Sequence, residues 1–234
     1  MFHNRIARQS TGTDIHGRED VFIRLPETIP NPRLAMLARP GLAKTLLGMG
    51  PRFLLMMYPR SNIYRALNVN PGTGIYQDAE RIYARNLEVP SGNGVGTARA
   101  IARAYSVFAG DGHELGLRRE TLELLAAPAI APACGFYDEC MKARDVRFSL
   151  GFMKPGSVWR FRNTESFGSP GAGGALGFAD PAVGVGYAHV TSQMGTRLTG
   201  DPREMALRNA LYSAIPVHGK QPTACENLAK RVVA

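Results

Sequence analysis

The chain has 234 residues, a formal net charge of +9 and an apolar fraction of 44%. These values fit one globular domain, or a domain with an additional lobe. Most of the positive charge comes from arginines that are scattered along the chain, whereas nucleic-acid binding needs a concentrated basic face. We therefore expect no nucleic-acid partner.

The cysteines Cys134, Cys140 and Cys225 are odd in number and show no C-x-x-C spacing. This pattern argues against a disulfide framework or a zinc site and favours reduced thiols. The first residues, Met1 to Arg8, are not followed by the apolar run of a secretory signal. The expectation is a cytoplasmic protein with no metal and no cofactor.

The most apolar stretch runs from Leu42 to Tyr58 and is interrupted by Lys44, Pro51 and Arg52. It is too short to span a bilayer. A buried helix pair that is broken at Gly50-Pro51 is the favoured interpretation. Contact with a membrane surface or with an acyl group is the alternative, and membrane contact is not expected.

The clearest helix begins after Thr97, a suitable N-cap. Apolar residues then recur at helical spacing and form one face of the helix. The helix should end at the glycines of Gly110–Gly112. The apolar face consists of Ala98, Ile101, Ala102, Tyr105 and Phe108. A shorter helix is predicted from Arg119 to Ala127, before Pro128.

The second half of the chain changes to a period of two, which is typical of strands. We predict three of them, from Asp145 to Lys154, from Gly173 to Asp180 and from Gly184 to Gln193, with a tight turn at Asp180–Gly184. Short connections would make these strands antiparallel neighbours.

A last helix should start at Asp201 as its N-cap, with Pro202 as its first residue and Glu204 completing a capping box. This helix is expected to pack on the sheet. The predicted fold class is α+β: a mainly helical lobe over residues 1–144, an antiparallel sheet of about three strands with the helix over residues 145–215, and a loosely ordered tail over residues 216–234.

The most unusual run is FGSPGAGGALGFADP, Phe167 to Pro181, with five glycines at 168, 171, 173, 174 and 177. Glycine in a strand allows a ligand or another backbone to approach closely. Ser169 nearly completes a G-x-S-x-G elbow, but residue 167 is Phe, and a strand follows where the elbow needs a helix. His189 is expected to pack or to form a hydrogen bond within its strand.

Several segments together resemble the β-lactamase-related serine esterases, relatives of class C β-lactamases and penicillin-binding proteins. The similarity covers roughly residues 14 to 215, and the glycine-rich strand is its most specific part. The segments that carry it are VPSGNGVGTARAIARAYSVFAGDG (Val89 to Gly112), FSLGFMKPG (Phe148 to Gly156), FGSPGAGGALGFADPAVGVGYAHVTSQMG (Phe167 to Gly195), GDPREMALRNALYSAI (Gly200 to Ile215) and, more weakly, DVFIRLPE (Asp20 to Glu27).

The resemblance implies a partial β-lactamase/transpeptidase-like fold and hydrolysis of short-chain esters through an acyl-serine. In that family an S-x-x-K motif supplies the nucleophile, a Y-x-N-like motif assists proton transfer, and a K/H-x-G strand lines the pocket. Ser169-Pro170-Gly171 occupies the third position, with Ser in place of the usual basic residue. Gly173 and Gly174 would place backbone N–H groups near the substrate carbonyl, and these five residues are the predicted substrate-binding site.

The other two motifs are absent, because no Ser has Lys at +3 and no Tyr has Asn at +2. The sequence therefore predicts no catalytic residue in this chain. The favoured expectation is a truncated hydrolase that is inactive by itself. The alternatives are a non-enzymatic binding module derived from the fold, and an enzyme of two chains in which another polypeptide supplies the nucleophile. The oligomeric state is left open.

Overall fold

The computed structural model describes residues 21–22, 25–50, 54–55, 57–67, 94–139, 142–197 and 199–215. The predicted tail beyond residue 215, Cys140, Cys225 and the N-terminal residues lie outside these ranges. The chain divides into two compact units, Met1–Glu204 and Met205–Ala234. All contacts described below lie within the first unit.

The predicted central helix is confirmed as α3, Ala98–Ala109, after α1, Leu42–Met49, and α2, Asn62–Leu67. Thr97 caps α3, because its hydroxyl oxygen accepts the Ala100 amide at 3.2 Å. The helix ends at Gly110. The second predicted helix is α4, Arg119–Ala126, and it ends before Pro128 as expected.

The expected strand from Asp145 to Lys154 is wrong, since the chain forms a hairpin there. Short strands β3, Phe148–Ser149, and β4, Phe152–Met153, pair antiparallel. They are joined by Leu150 at φ 51° and Gly151 at φ 86°. Positive φ at both loop residues is the signature of the tight turn whose twist suits a hairpin. An alternating pattern is compatible with either arrangement, so it could not reveal this turn.

The sheet has five described antiparallel strands in the order β3-β4-β5-β6-β7, where about three were expected. Besides the hairpin, these are β5, Phe167–Pro170, β6, Leu176–Asp180, and β7, Val185–His189. In β5 and β6, Ser169 lies opposite Gly177. A separate two-stranded pairing joins β1, Val21–Phe22, to β2, Val95–Gly96.

The predicted glycine strand begins three residues later than expected. Ala172–Gly174 form a 3-10 turn, with Gly173 at φ 82° and Gly174 at φ 101°. Strand β6 starts only at Leu176, because backbone with positive φ cannot continue an extended strand. The five residues Gly171–Ala175 are called the glycine turn from here on. The turn after β6 is confirmed, and Asp180 accepts the Ala182 amide within it at 3.2 Å.

Helix α3 lies directly on β6 and β7, and glycines make that approach possible. A Cβ on Gly186 would collide with the backbone nitrogen of Ser106, and a Cβ on Gly177 would collide with the Tyr105 ring. The core beneath is apolar and well packed. Its buried members include Phe108, Leu125 and Phe167, and Phe167 is fully buried.

Lys154 is the least expected member of this core, since its exposed fraction is 2%. Its ammonium donates to the carbonyls of Leu125 at 2.7 Å and Ala126 at 3.1 Å, and lies 5.1 Å from the centre of the Phe167 ring. The last carbonyls of α4 have no partner within the helix, so this contact satisfies them. Burial lowers the pKa of Lys154 to about 8, against the opposing effect of Glu165.

The expected buried helix pair over residues 42–58 is wrong in its burial. Helix α1 ends at Gly50, as predicted, but contains no buried residue. Leu47 is 87% exposed and Leu42 is 69% exposed. Residues 51–53 and 56 lie outside the described chain, while Leu54, Leu55 and Met57 are helical and exposed. No helix within the described ranges is long and apolar enough to cross a bilayer.

The last helix, α5, spans Pro202–Ala214. Asp201 is its N-cap as predicted, since its Oδ1 accepts the Arg203 amide at 3.0 Å. Pro202 is the first helical residue, where its missing N–H has no cost. The boundary between the two compact units falls between Glu204 and Met205, inside α5. The packing of this helix on the sheet therefore stays a prediction.

Candidate functional site

The end of β5 lies at an open side of the sheet. Strand β5 pairs with β6 along all four residues, but the described part of β4 pairs with it only where Met153 faces Gly168. No β4 partner is therefore assigned to Ser169 or Pro170 in the described chain. Ser169 is exposed, and Pro170 is partly exposed. The structure thus presents the predicted K/H-x-G position on an accessible strand end.

The glycine turn that follows is held by its own backbone. The Gly171 amide donates to the Ala175 carbonyl at 2.7 Å, and the Gly174 amide donates to the Gly171 carbonyl at 3.3 Å. The second bond is long and therefore weak. Gly173 and Gly174 are buried. The Gly174 amide is already engaged within the turn, so a substrate carbonyl would compete with a weak internal bond for it.

Asp201 and Arg203 support the glycine turn from below. Both carboxylate oxygens of Asp201 accept from the Arg203 guanidinium, at 2.9 Å each. The same guanidinium donates to the Gly173 carbonyl at 3.2 Å and to the Gln193 carbonyl at 2.8 Å. The hydrogen bond from Arg203 holds the pKa of the Asp201 carboxyl below its usual range. This charge-assisted pair fixes the direction of the Gly173 carbonyl.

His189 holds the neighbouring carbonyl. Its Nδ1 lies 2.9 Å from the Gly174 carbonyl oxygen, so the tautomer with a proton on Nδ1 donates to it. His189 forms a hydrogen bond as predicted, but its partner lies in the glycine turn and not in β7. The Gly173 carbonyl also accepts the Gly195 amide at 2.8 Å. The carbonyls of Gly173 and Gly174 are therefore both bound by neighbouring groups of the protein.

Tyr105 connects α3 to the same strand end. Its ring lies against Gly177, the residue opposite Ser169 in the sheet. Burial raises the pKa of Tyr105 to about 12, and the backbone N–H of Ser169 opposes this rise through a hydrogen bond. The phenol is therefore neutral at ordinary pH.

The structure brings the five predicted site residues together as one strand end and turn: Ser169, Pro170, Gly171, Gly173 and Gly174. Sequence reasoning missed the support beneath them. Asp201 was assigned only as a helix cap, Tyr105 only as part of an apolar face, and Arg203 was not singled out. Within the described chain, no group of three or more His, Cys, Asp and Glu residues could hold a metal ion.

A concavity of about 540 Å³ contains none of the predicted site residues. Its lining consists of Cys134, Phe136, Tyr137, Arg144 and Asp145. The Ser157 amide and the Arg147 guanidinium hold the pKa of the Asp145 carboxyl below its usual range. Asp145 is therefore already bound by Arg147 and Ser157. We consider the glycine turn the better supported candidate site.

Comparison with known proteins gives the class to which this geometry corresponds. The crystal structure of a family VIII carboxylesterase matches 91% of the chain with a TM-score of 0.66 and 26% identity. A penicillin-binding protein homologue from Caulobacter crescentus matches 83% with a TM-score of 0.60 and 28% identity. EstA from Arthrobacter nitroguajacolicus, at 24% identity, matches the fold over 92% of the chain with a TM-score of 0.65. The chain therefore has a β-lactamase-related serine esterase fold.

The chain spans 48–52% of the length of these solved relatives. Among curated proteins, the esterase/β-lactamase LipL of Mycobacterium tuberculosis is 34% identical over 111 residues, which are 47% of this chain and 24% of LipL. No family model matches the chain. The fold of the esterase/β-lactamase-related hydrolases is thus present in part.

Proposed function

We propose that this chain forms the substrate-binding wall of a serine hydrolase that acts on short-chain esters through an acyl-serine. The observation that carries the proposal is the exposed end of β5, Ser169–Pro170, followed by a rigidly supported glycine turn. The likeness to a family VIII carboxylesterase over 91% of the chain supports it. The wall would orient the ester, and a separate segment would bring the nucleophile.

The proposed chemistry needs two things that a folded wall cannot supply alone. A neutral serine is a poor nucleophile without a nearby base, and the 234 residues contain neither S-x-x-K nor Y-x-N. The oxyanion of the acyl transfer step also needs aimed N–H donors. The Gly174 amide is a candidate for such a donor, because its bond to the Gly171 carbonyl is long, at 3.3 Å, and therefore weak. Binding without turnover is the behaviour that we propose for this chain by itself.

The first experiment measures hydrolysis of p-nitrophenyl butyrate by the purified 234-residue chain. We expect a rate equal to that of buffer, because the chain lacks the activated nucleophile. A matched sample treated with a serine-reactive fluorophosphonate should show no adduct in its intact mass. Sustained turnover, with an acyl or phosphonyl adduct mapped to a residue of this chain, would contradict the proposal.

The second experiment supplies the nucleophile from outside. The S-x-x-K-bearing half of a family VIII carboxylesterase is mixed with the chain, and its Ser→Ala variant serves as the control. Turnover that appears only with the intact serine would support a wall that can complete an active site. If neither mixture is active and the chain binds no ester, the alternative of a non-enzymatic binding module is favoured. Its ligand would then have to be of another class.

A further inference from the structure

The apolar segment, by which we mean the described residues 42–50, 54–55 and 57–58, is a surface of unusual composition. Helix α1 within it contains no buried residue. Seven large apolar side chains of the segment are between 40% and 87% exposed, and Met49 is only partly exposed. The seven are Leu42, Leu46, Leu47, Leu54, Leu55, Met57 and Tyr58. Scattered exposed leucines are normal, but a contiguous run of this kind marks an interaction surface.

The charges around the segment are all of one sign. From residue 28 to residue 77 the sequence contains no Asp or Glu, and it contains six basic residues, including Arg39, Lys44 and Arg60. Those three and the described Arg33 and Arg65 are exposed. An apolar segment whose neighbouring charges along the chain are all cationic complements a partner that is apolar and anionic at once.

We propose that the apolar segment is a docking surface for an anionic lipid bilayer, on which it lies parallel to the membrane plane. Helices that lie in the interface combine Leu and aromatic residues with Lys and Arg, and they gain from both apolar burial and attraction to anionic headgroups. Helix α1 has eight residues, which is far too short to cross a bilayer. The segment therefore rests on the membrane surface. This proposal does not depend on the proposed function.

The segment and the chain just before it are attached to the rest of the domain at two places. The Ala38 amide donates to the Ser192 carbonyl at 2.7 Å, and the Met194 amide donates to the Ala38 carbonyl at 2.8 Å. Gly48 contacts Thr196 so closely that a Cβ at Gly48 would collide with it. These contacts attach one side of the segment to the domain and leave the leucines outward. A second copy of the chain is disfavoured as the occupant, because two such segments would bring their cations together.

The test measures co-sedimentation of the full chain with vesicles of equal parts phosphatidylcholine and phosphatidylglycerol, and with vesicles of phosphatidylcholine alone. We expect binding to the anionic vesicles that weakens as salt rises, since salt screens surface charge. The variant Leu42→Glu/Leu47→Glu removes two outward apolar side chains. It should bind at least about tenfold more weakly, because each leucine loses its burial in the interface.

The matched control is Leu124→Glu/Ile130→Glu, which makes the same charge change at two side chains that are 61% and 91% exposed outside the segment. It should bind like the unchanged chain. A second variant, Arg39→Glu/Lys44→Glu, should lose the preference for anionic vesicles. All three pairs are exposed, so the emission of the single tryptophan, Trp159, which is buried, should confirm an unchanged fold.

Three results would overturn the proposal. The first is no binding of the unchanged chain to anionic vesicles. The second is equal weakening by the segment variant and its control, which would indicate a general effect of net charge. The third is self-association of the chain without vesicle binding, abolished by Leu42→Glu/Leu47→Glu, which would assign the surface to a second copy.

Discussion

Gly186 in β7 and Gly174 in the glycine turn meet different neighbours, and the contrast separates two regions of the molecule. The φ of Gly186 is one that any residue can adopt, so the backbone there does not require glycine. A Cβ at Gly186 would nevertheless collide with the backbone of α3. At Gly174 the backbone itself has φ 101°, and the nearest atom is Asp201 Oδ2, 2.7 Å from where a Cβ would lie. The first glycine allows a helix to approach the sheet, and the second allows a turn that the Asp201–Arg203 pair then supports. Gly186 is thus needed for the packing of the helix on the sheet, whereas Gly174 is needed for the conformation of the glycine turn.

The largest effect is expected from Gly186→Ala. The new methyl group would meet main-chain atoms of Ser106 and Ala102, which cannot move aside as a flexible side chain could. We expect a loss of about 3 kcal/mol in the free energy of unfolding, the upper part of the range for overpacking. The control is Gly94→Ala, where no atom lies within 4 Å. Urea unfolding followed by Trp159 fluorescence measures both, and equal stability of the two variants would break the comparison.

Lys154 offers a test of the sheet region through pH. Its pKa is lowered to about 8 in the folded chain, whereas the unfolded value is about 10.4. Between these values the unfolded chain binds more protons, so folding stability should rise with pH. From pH 8 to pH 9.5 the gain should be about 1–2 kcal/mol. The interval from pH 8 to pH 9.5 lies below the pKa of Tyr105, about 12, so the Tyr105 phenol stays protonated in the folded chain.

The matched variant is Lys154→Met, which keeps the length of the side chain without its charge. Its stability should change less than that of the unchanged chain over the same pH interval. The measurement is urea unfolding at each pH. Identical pH dependence of the two proteins would show that the Lys154 ammonium is not responsible for the change.

The glycine turn can be separated from the sheet with Gly174→Ala and its control, Gly184→Ala. Both glycines have positive φ, at 101° and 64°, so both variants lose roughly 1–2 kcal/mol of stability from backbone strain. Only at Gly174 does the methyl group also press on Asp201, whereas Gly184 has open space. We expect an additional loss of about 1 kcal/mol at Gly174. A larger loss at Gly184 would contradict the role assigned to Asp201.

The smallest effect concerns the charge of Asp201. Its pKa is lowered by the Arg203 guanidinium, so its contribution to stability is present above about pH 4 and is lost as the pH falls further. Asp201→Asn should reduce stability at pH 7 by about 1 kcal/mol, a modest value because Arg203 is partly exposed. The variant should also unfold with a shallower pH dependence below pH 4. If Asp201→Asn leaves the pH dependence of the unfolding free energy below pH 4 unchanged, Asp201 is not ionised in the folded chain.

Local signals in the sequence were sufficient for α3, where apolar spacing and the Thr97 cap act within a few residues. They were not sufficient for the hairpin, because nothing in the residue type of Leu150 specifies its positive φ. The five site residues are predicted from the resemblance alone. Their support could not be predicted, since Arg203 reaches the Gly173 carbonyl across 30 residues of sequence. The exposure of α1 was missed for a related reason, because an apolar run does not reveal whether the fold covers it.

The most direct test of the substrate-binding wall is a titration of the isotopically labelled chain with p-nitrophenyl butyrate, followed by amide chemical shifts. The account predicts the largest shift changes at Ser169, Gly171, Gly173 and Gly174, and changes near zero at Gly184 and Gly186. Gly174→Ala should weaken binding while the folded spectrum is retained. Shift changes confined to the concavity lined by Cys134 and Tyr137, or none at saturating ester, would contradict the assignment of the glycine turn as the binding site.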